Sequence, residues 1–239
     1  MAHSSVLEKI EEMPLSAVAG QYTAKDYFNL PEGSPYQLIE GELIMTPSPL
    51  TEHQIISKNL ELAIYLHIKK NNLGLALNAP IDVYLNNKNA YQPDIIFISN
   101  KNKDIIRKHG IDGAPDLVIE ILSPSNSYYD VRVKKDIYER SGVIEYIIVD
   151  PRTKSIDVYR RTVERPETDL NTYYSNVNSN NNSADTPNLN EALASNLNNN
   201  EYIQTGFNET MSVRLENNGK LYIKTLDLEI ELKDIFTEI

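Results

Sequence analysis

The sequence predicts an α/β (α+β) protein with a central mixed β-sheet flanked by helices, and three stretches carry that expectation. Residues 114–151, APDLVIEILSPSNSYYDVRVKKDIYERSGVIEYIIVDP, read as strand, turn, helix, strand. A unit of that length implies two parallel strands with a right-handed crossover. Residues 51–71 repeat apolar positions at three and four, the mark of an amphipathic helix. Residues 75–85 and 92–99 read as two strands joined by Asn86-Asn87-Lys88-Asn89. Helices interleaved with strands in this way indicate a sheet with helices packed on it.

In chain order, residues 1–19 form a weakly amphipathic lead-in. Thr23 and Asp26 match a capping box, so a short helix is expected from Thr23. YQLIEGELIM at 36–45 alternates around Gly41 and reads as a hairpin or a bulged strand, with Glu40 and Glu42 two apart. His53, Ile56, Leu60, Ala63 or Ile64, and His67 make one stripe of the following helix, which Asn71-Asn72 and Gly74 end. Residues 101–109 read as a short charged helix. Residues 115–123 are a nearly continuous apolar run, the pattern of a strand buried on both faces. Glu120 interrupts it, and a carboxylate there costs several kcal/mol unless a charge or a metal compensates it. The next helix is expected to start near 127–130 and to end at Gly142, with Val131, Lys134, Ile137 and Tyr138 at helical spacing. Its second turn brings Lys134 near the end of the Glu120 strand. Strands follow at 143–149 and 156–161.

Between Asn171 and Asn200 there are 12 Asn in 30 residues. Such a segment lacks the apolar surface that offsets ordering entropy, and residues 163–204 read as a disordered insertion. Order resumes at 210–215 and 221–226, a hairpin turned by Asn217-Asn218-Gly219. The tail LDLEIELKDIFTEI reads as a strand passing into a short helix.

Composition narrows the chemistry. The 239 residues contain no cysteine, which removes disulfides, thiolate metal sites and cysteine nucleophiles together. No run approaches the ~18 apolar residues of a membrane span, and no signal peptide is visible, so a cytoplasmic protein without a membrane partner is expected. A net charge of −11 argues against a broad basic surface, though not against a local basic site.

Three acids at or near strand positions, Glu42, Asp94 and Glu120, and one lysine, Lys134, form the candidate site. Converging carboxylates suit a hard divalent cation such as Mg²⁺. The cation would acidify water and offset charge on a phosphate in transfer, while the lysine would stabilise the nucleophile and the oxyanion. Spacing alone leaves other readings open. Asp94 after Pro93 could form a turn, Glu120 could pair structurally with Lys134 or Lys135, and Glu42 could be a solvated hairpin residue.

Taken in this order, YQLIEGELIM, a helix opening with His53, QPDIIFIS, APDLVIEILSPSN, and K-x-x-x-Y followed by GVIEYIIVDP resemble the Uma2 family. That family is regarded as candidate endonucleases of the PD-(D/E)XK restriction-endonuclease-like superfamily. The resemblance covers residues 20–161 and resumes at 206–239. It implies that Asp94 is the PD acid and Glu120 the (D/E) acid, the two metal ligands. Leu122 stands where the superfamily has lysine, and Lys134, four before Tyr138, is the matching cation, with Lys135 a weaker candidate. Glu42 matches an ancillary acid, His53 a histidine near the start of the first long helix, and Gln92 sits beside the site. The last two are accessory candidates. Asp116 marks the entrance of the Glu120 strand.

The resemblance therefore implies an endonuclease using Mg²⁺ (or Mn²⁺) to hydrolyse phosphodiester bonds in DNA, with a homodimer a permitted assembly. The alternative is a non-catalytic protein- or nucleic-acid-binding module that keeps the nuclease fold. A hydrolase of another phosphate-containing substrate is a third reading.

Overall fold

The computed structural model describes residues 20–46, 48–123, 129–161 and 206–237, with the side chains of 129–131 left aside. The lead-in, the turn at 124–126 and the Asn-rich segment lie outside the described residues.

The described residues open with a helix, α1 (Ala24–Phe28), whose Thr23 and Asp26 form the expected reciprocal capping box. Two short strands follow, β1 (Tyr36–Ile39) and β2 (Glu42–Met45). They form a hairpin in which Ile39 faces Glu42 and only Glu40 and Gly41 turn the chain. Both turn residues have positive φ, 49° and 82°. Gly41 has no alternative there, because an added Cβ would lie 2.7 Å from the Gly20 carbonyl oxygen.

The long helix α2 (Thr51–Asn71) buries Ile56, Leu60, Ile64 and Ile68, one residue per turn. It ends at Asn72, which takes the left-handed conformation with φ 52°. Residues 75–85 are not one strand. They divide at Ala79-Pro80 into β3 (Gly74–Asn78) and β4 (Val83–Asn86), which join different sheets. A proline cannot donate to a ladder, so the strand ends there. The Asn86-to-Asn89 turn leads into a further strand, β5 (Asn89–Tyr91), before β6 (Ile95–Ser99). The expected helix at 101–109 is also replaced. A single 3₁₀ turn, Lys103–Ile105, leads into β7 (Ile106–Arg107) and β8 (Gly110–Asp112).

Then come β9 (Leu117–Ile121), a π-helical turn (Tyr129–Lys134) running into α3 (Lys135–Ser141), and β10 (Glu145–Asp150). β9 and β10 are parallel, with Glu120 beside Ile148. Gly142 caps α3 with φ 94°. β11 (Ser155–Arg160) and β12 (Glu209–Arg214) pair antiparallel. The expected hairpin between 210–215 and 221–226 is not a ladder. Asn218 does turn the chain in the left-handed conformation, but β13 (Lys220–Ile223) pairs onward with β14 (Leu228–Glu231). The short helix α4 (Leu232–Ile235) closes the chain.

Two six-stranded mixed sheets result, β12-β11-β10-β9-β6-β3 and β2-β1-β5-β4-β8-β7, beside the small β13-β14 ribbon. The first is central. One face packs on Ile56, Leu60, Ile64 and Ile68 of α2 and on the C-terminal ribbon and helix. The other presents Ile96, Ile98, Val118, Tyr146 and Ile148 to α3 and to Ile39, Val83 and Tyr91 of the second sheet. Covered on both faces, β9 has no solvated side, which is why its sequence is apolar throughout except at Glu120. Among the described residues no helix is long and apolar enough to cross a membrane.

Across the Asn-rich segment, the flanking chain is already closed. Arg160 faces Glu209, and the Asn208 amide donates to the Arg160 carbonyl at 3.0 Å. Loop closure costs little extra as a loop lengthens. Replacing residues 163–204 with a short Gly/Ser linker is therefore expected to shift the thermal midpoint by less than about 3 °C, or under ~1 kcal/mol. A fall above ~10 °C in differential scanning fluorimetry would show that the segment packs.

Candidate functional site

The strand carrying Glu120 and the helix after it meet in one ion pair. Glu120 follows Val118 by two, so it shares the face that looks onto α3 and Tyr91. Its carboxylate is almost fully buried, at 3 % exposure, as is Lys134. Lys134 Nζ donates to Glu120 Oε1 at 2.9 Å, and the Tyr138 hydroxyl donates to the same oxygen at 2.8 Å. Lys134 and Tyr138 are four apart, hence neighbours along the helix. The Lys134 ammonium also stands 5.6 Å above the centre of the Tyr91 ring. Burial first, and then the Glu120 charge, push the Tyr138 phenol well above its ordinary pKa, so it remains a donor.

Asp94 belongs to the same end of the sheet. One step beyond the last β6–β9 pair, Ile95 with Ile119, it comes opposite Glu120. Its Oδ2 accepts the Ile121 amide at 2.7 Å and lies 3.2 Å from His53 Nε2. Both contacts fall on one oxygen. His53 is the third residue of α2, and its Nδ1 is buried with no hydrogen-bond partner among the described residues. Burial pulls the His53 pKa down, but the hydrogen bond and charge of Asp94, aided by Glu120, outweigh it, and the net direction is up.

The other candidates are placed differently. Glu42 is exposed on β2. Opposite Ile39, it lies on the face of the hairpin that packs toward Tyr91 and Tyr138, at the rim. Among the described residues no three His, Asp or Glu side chains form a metal-holding group, so Glu42 does not join Asp94 and Glu120 in one cluster. The Gln92 amide donates to Asp82 Oδ1 at 2.9 Å and to the Tyr27 hydroxyl at 3.3 Å, away from the Glu120 clamp. Lys135 turns elsewhere, 3.7 Å from Glu139 and 5.1 Å above the Tyr159 ring. Asp116 accepts the Ser99 amide at 2.7 Å and secures the start of β9. Two residues escaped the sequence reading as site members, Tyr138 and Tyr91. The i,i+4 spacing of Lys134 and Tyr138 was the available signal for the first. Nothing local marks the second, which reaches Lys134 from another sheet.

His53 makes a pH prediction for the metal-free protein. Its folded pKa is raised above the unfolded value of about 6.5. The stabilisation is therefore complete below about pH 6.5 and is lost as pH rises through the folded value. In EDTA, His53→Gln is expected to flatten the fall in thermal midpoint above pH 6.5. Parallel curves for the two proteins would exclude the His53–Asp94 pair as its source.

The profile of the Uma2 family, described as a putative restriction endonuclease, matches residues 24–214. This chain belongs to the Uma2 family. Its fold is shared with a crystal structure described as a putative nuclease belonging to DUF820 from Anabaena variabilis ATCC 29413. The TM-score is 0.62 at 20% identity, over 90% of this chain and 97% of that one. No curated protein matches in sequence.

Restriction-endonuclease-like families generally use divalent metal ions. Mg²⁺ takes oxygen ligands, keeps several waters, and is commonly held by one or two carboxylates plus substrate phosphate. Asp94 and Glu120 supply two carboxylates from facing positions of adjacent chain segments, and the contacts of Asp94 all use one of its two oxygens.

Proposed function

We propose that this Uma2 chain is an endonuclease dependent on Mg²⁺, or Mn²⁺, that hydrolyses phosphodiester bonds in DNA. The observation that supports the reading most is the buried Lys134–Glu120 pair beside Asp94. Replacing a buried ion pair with apolar side chains is often neutral or stabilising, so folding alone does not call for one at this position.

Asp94 and Glu120 would hold the cation. When bound, it acidifies water and offsets negative charge gathering on the phosphate. The chain's own residues do the rest. Lys134 places a positive charge in a water-poor setting, where it acts on the attacking water and the developing oxyanion more strongly than it would in bulk. Tyr138 holds the same Glu120 oxygen that Lys134 uses. His53 and the Ile121 amide fix Asp94 through Oδ2. Glu42 is the ancillary acid at the rim, while Gln92, held by Asp82, stands outside this set.

Net charge of −11 favours the second reading, a nuclease fold that binds without cutting. One experiment separates them. Purified protein is incubated with supercoiled plasmid in Mg²⁺, Mn²⁺ or EDTA, beside Asp94→Ala. Nicking that requires metal and Asp94 supports the enzyme. Retention of plasmid on a gel without nicking, in all three buffers, supports the binding module.

A further inference from the structure

A lysine that sits two residues after the acid is aimed by the pleat of its own strand, because both side chains share one face. Lys134 has no such guide. It is the last residue of the π-helical turn, on a flexible four-carbon stem. Something else must fix its ammonium.

We infer that Tyr138 and Tyr91 are positioning residues that hold the Glu120 carboxylate and the Lys134 ammonium in register for the cation and the phosphate; this rests on the nuclease reading. Both rings are fully buried, at 0 % exposure, and come from different elements, α3 and β5. They meet edge to face, with centroids 5.5 Å apart and planes at 87°. Tyr138 bonds the carboxylate oxygen that Lys134 also uses, and Tyr91 lies beneath the ammonium. Neither ring can shift without displacing the other. Tyr91 is anchored in turn, because its hydroxyl donates to Asn89 Oδ1 at 2.7 Å. That same oxygen accepts the Glu40 amide at 2.9 Å, tying the cradle to the hairpin that carries Glu42.

The test measures Mn²⁺ affinity by electron paramagnetic resonance, thermal midpoint, and single-turnover nicking, for wild type, Tyr138→Phe, Tyr91→Phe and Tyr91→Leu. Losing a partner that orients a metal ligand typically costs 10–100-fold in affinity or activity. Tyr138→Phe keeps the ring, so its midpoint should stay within about 3 °C of wild type while Mn²⁺ affinity drops roughly tenfold. Tyr91→Leu loses the ring beneath Lys134 as well as the hydroxyl and should nick less than Tyr91→Phe, which loses the Asn89 anchor alone. Wild-type affinity and nicking in Tyr138→Phe would overturn the inference and leave the nuclease reading standing. Weakened Mn²⁺ binding by Tyr138→Phe, in a protein whose wild type never nicks, would uphold the positioning role and sink the nuclease reading. A wild type that neither binds Mn²⁺ nor nicks removes both.

Discussion

Lys134→Met is expected to lower single-turnover nicking of supercoiled plasmid by about 10²–10³-fold, the usual cost of deleting one preorganised charge donor. The side chain keeps its length and loses the ammonium that meets Glu120 at 2.9 Å. The same change takes the ammonium from a buried carboxylate that Tyr138 still holds, so stability falls too, by about 3 kcal/mol if Glu120 stays ionised. Rates are therefore compared well below the mutant's thermal midpoint. Lys135→Met is the control. Its ammonium pairs with Glu139 and stands over Tyr159, and its loss should leave nicking within about threefold, because partly exposed pairs contribute little. The double mutant Leu122→Lys/Lys134→Met asks whether the site accepts a lysine in the superfamily's usual place. Leu122 follows Glu120 by two and packs on the same side of the sheet, so partial recovery is the expected outcome. Undiminished nicking in Lys134→Met would take the lysine out of the mechanism. Loss in Lys135→Met alone would mean that the neighbouring lysine does the work.

How far the site could be read from sequence depends on which contacts are local. Glu120 stood out because a carboxylate inside an apolar strand must be compensated, and Lys134 because the crossover returns its helix over that strand. Those arguments use periodicity alone. Pairing between distant strands is a different matter. Asn217-Asn218-Gly219 marks a real turn, with Asn218 left-handed, yet nothing in it says that β12 joins the central sheet while β13 joins another. Pro80 is visible in the sequence and decides the break: a residue without an amide hydrogen splits an apolar run that otherwise looks continuous. At 101–109 the charged residues suggest a helix, but the chain turns at Lys108-His109 and Gly110, with φ 154°, opens the second of two short strands instead. Nothing local assigns Tyr91, because four strands, β6 to β9, separate it along the chain from its partner Lys134.

Glu145 shows the limit of the rule that exposed Glu120. It too interrupts an apolar strand, GVIEYIIVDP, and it too is buried, at 0 % exposure. Here the compensation is structural. Oε1 accepts Arg160 Nε at 2.7 Å and the Lys224 amide at 3.1 Å. Oε2 accepts the Thr225 amide and hydroxyl, both at 2.9 Å. Arg160 reaches on to Glu209 at 3.1 Å and to the Tyr222 carbonyl. Burial opposes its charge, but Glu145 and then Glu209 outweigh that and raise its pKa. One carboxylate thus bolts β10 and β11 to the turn of the C-terminal ribbon, whose apolar side chains help cover the central sheet. Glu145→Gln keeps the shape, removes the counterion of a buried guanidinium and turns an amide donor toward other donors. Breaking such a pair from one side costs about 3–5 kcal/mol, which for a chain of this size lowers the thermal midpoint by roughly 10 °C. Glu145→Leu should be at least as damaging. Glu145→Leu/Arg160→Met should recover part of the loss, because no unpaired charge remains buried. The measurement is urea unfolding of wild type, Glu145→Gln, Glu145→Leu, Arg160→Met and Glu145→Leu/Arg160→Met, the last three with wild type forming a double-mutant cycle. If Glu145→Gln costs less than about 1 kcal/mol, or the double mutant simply sums the two singles, the carboxylate is not what joins the ribbon to the sheet.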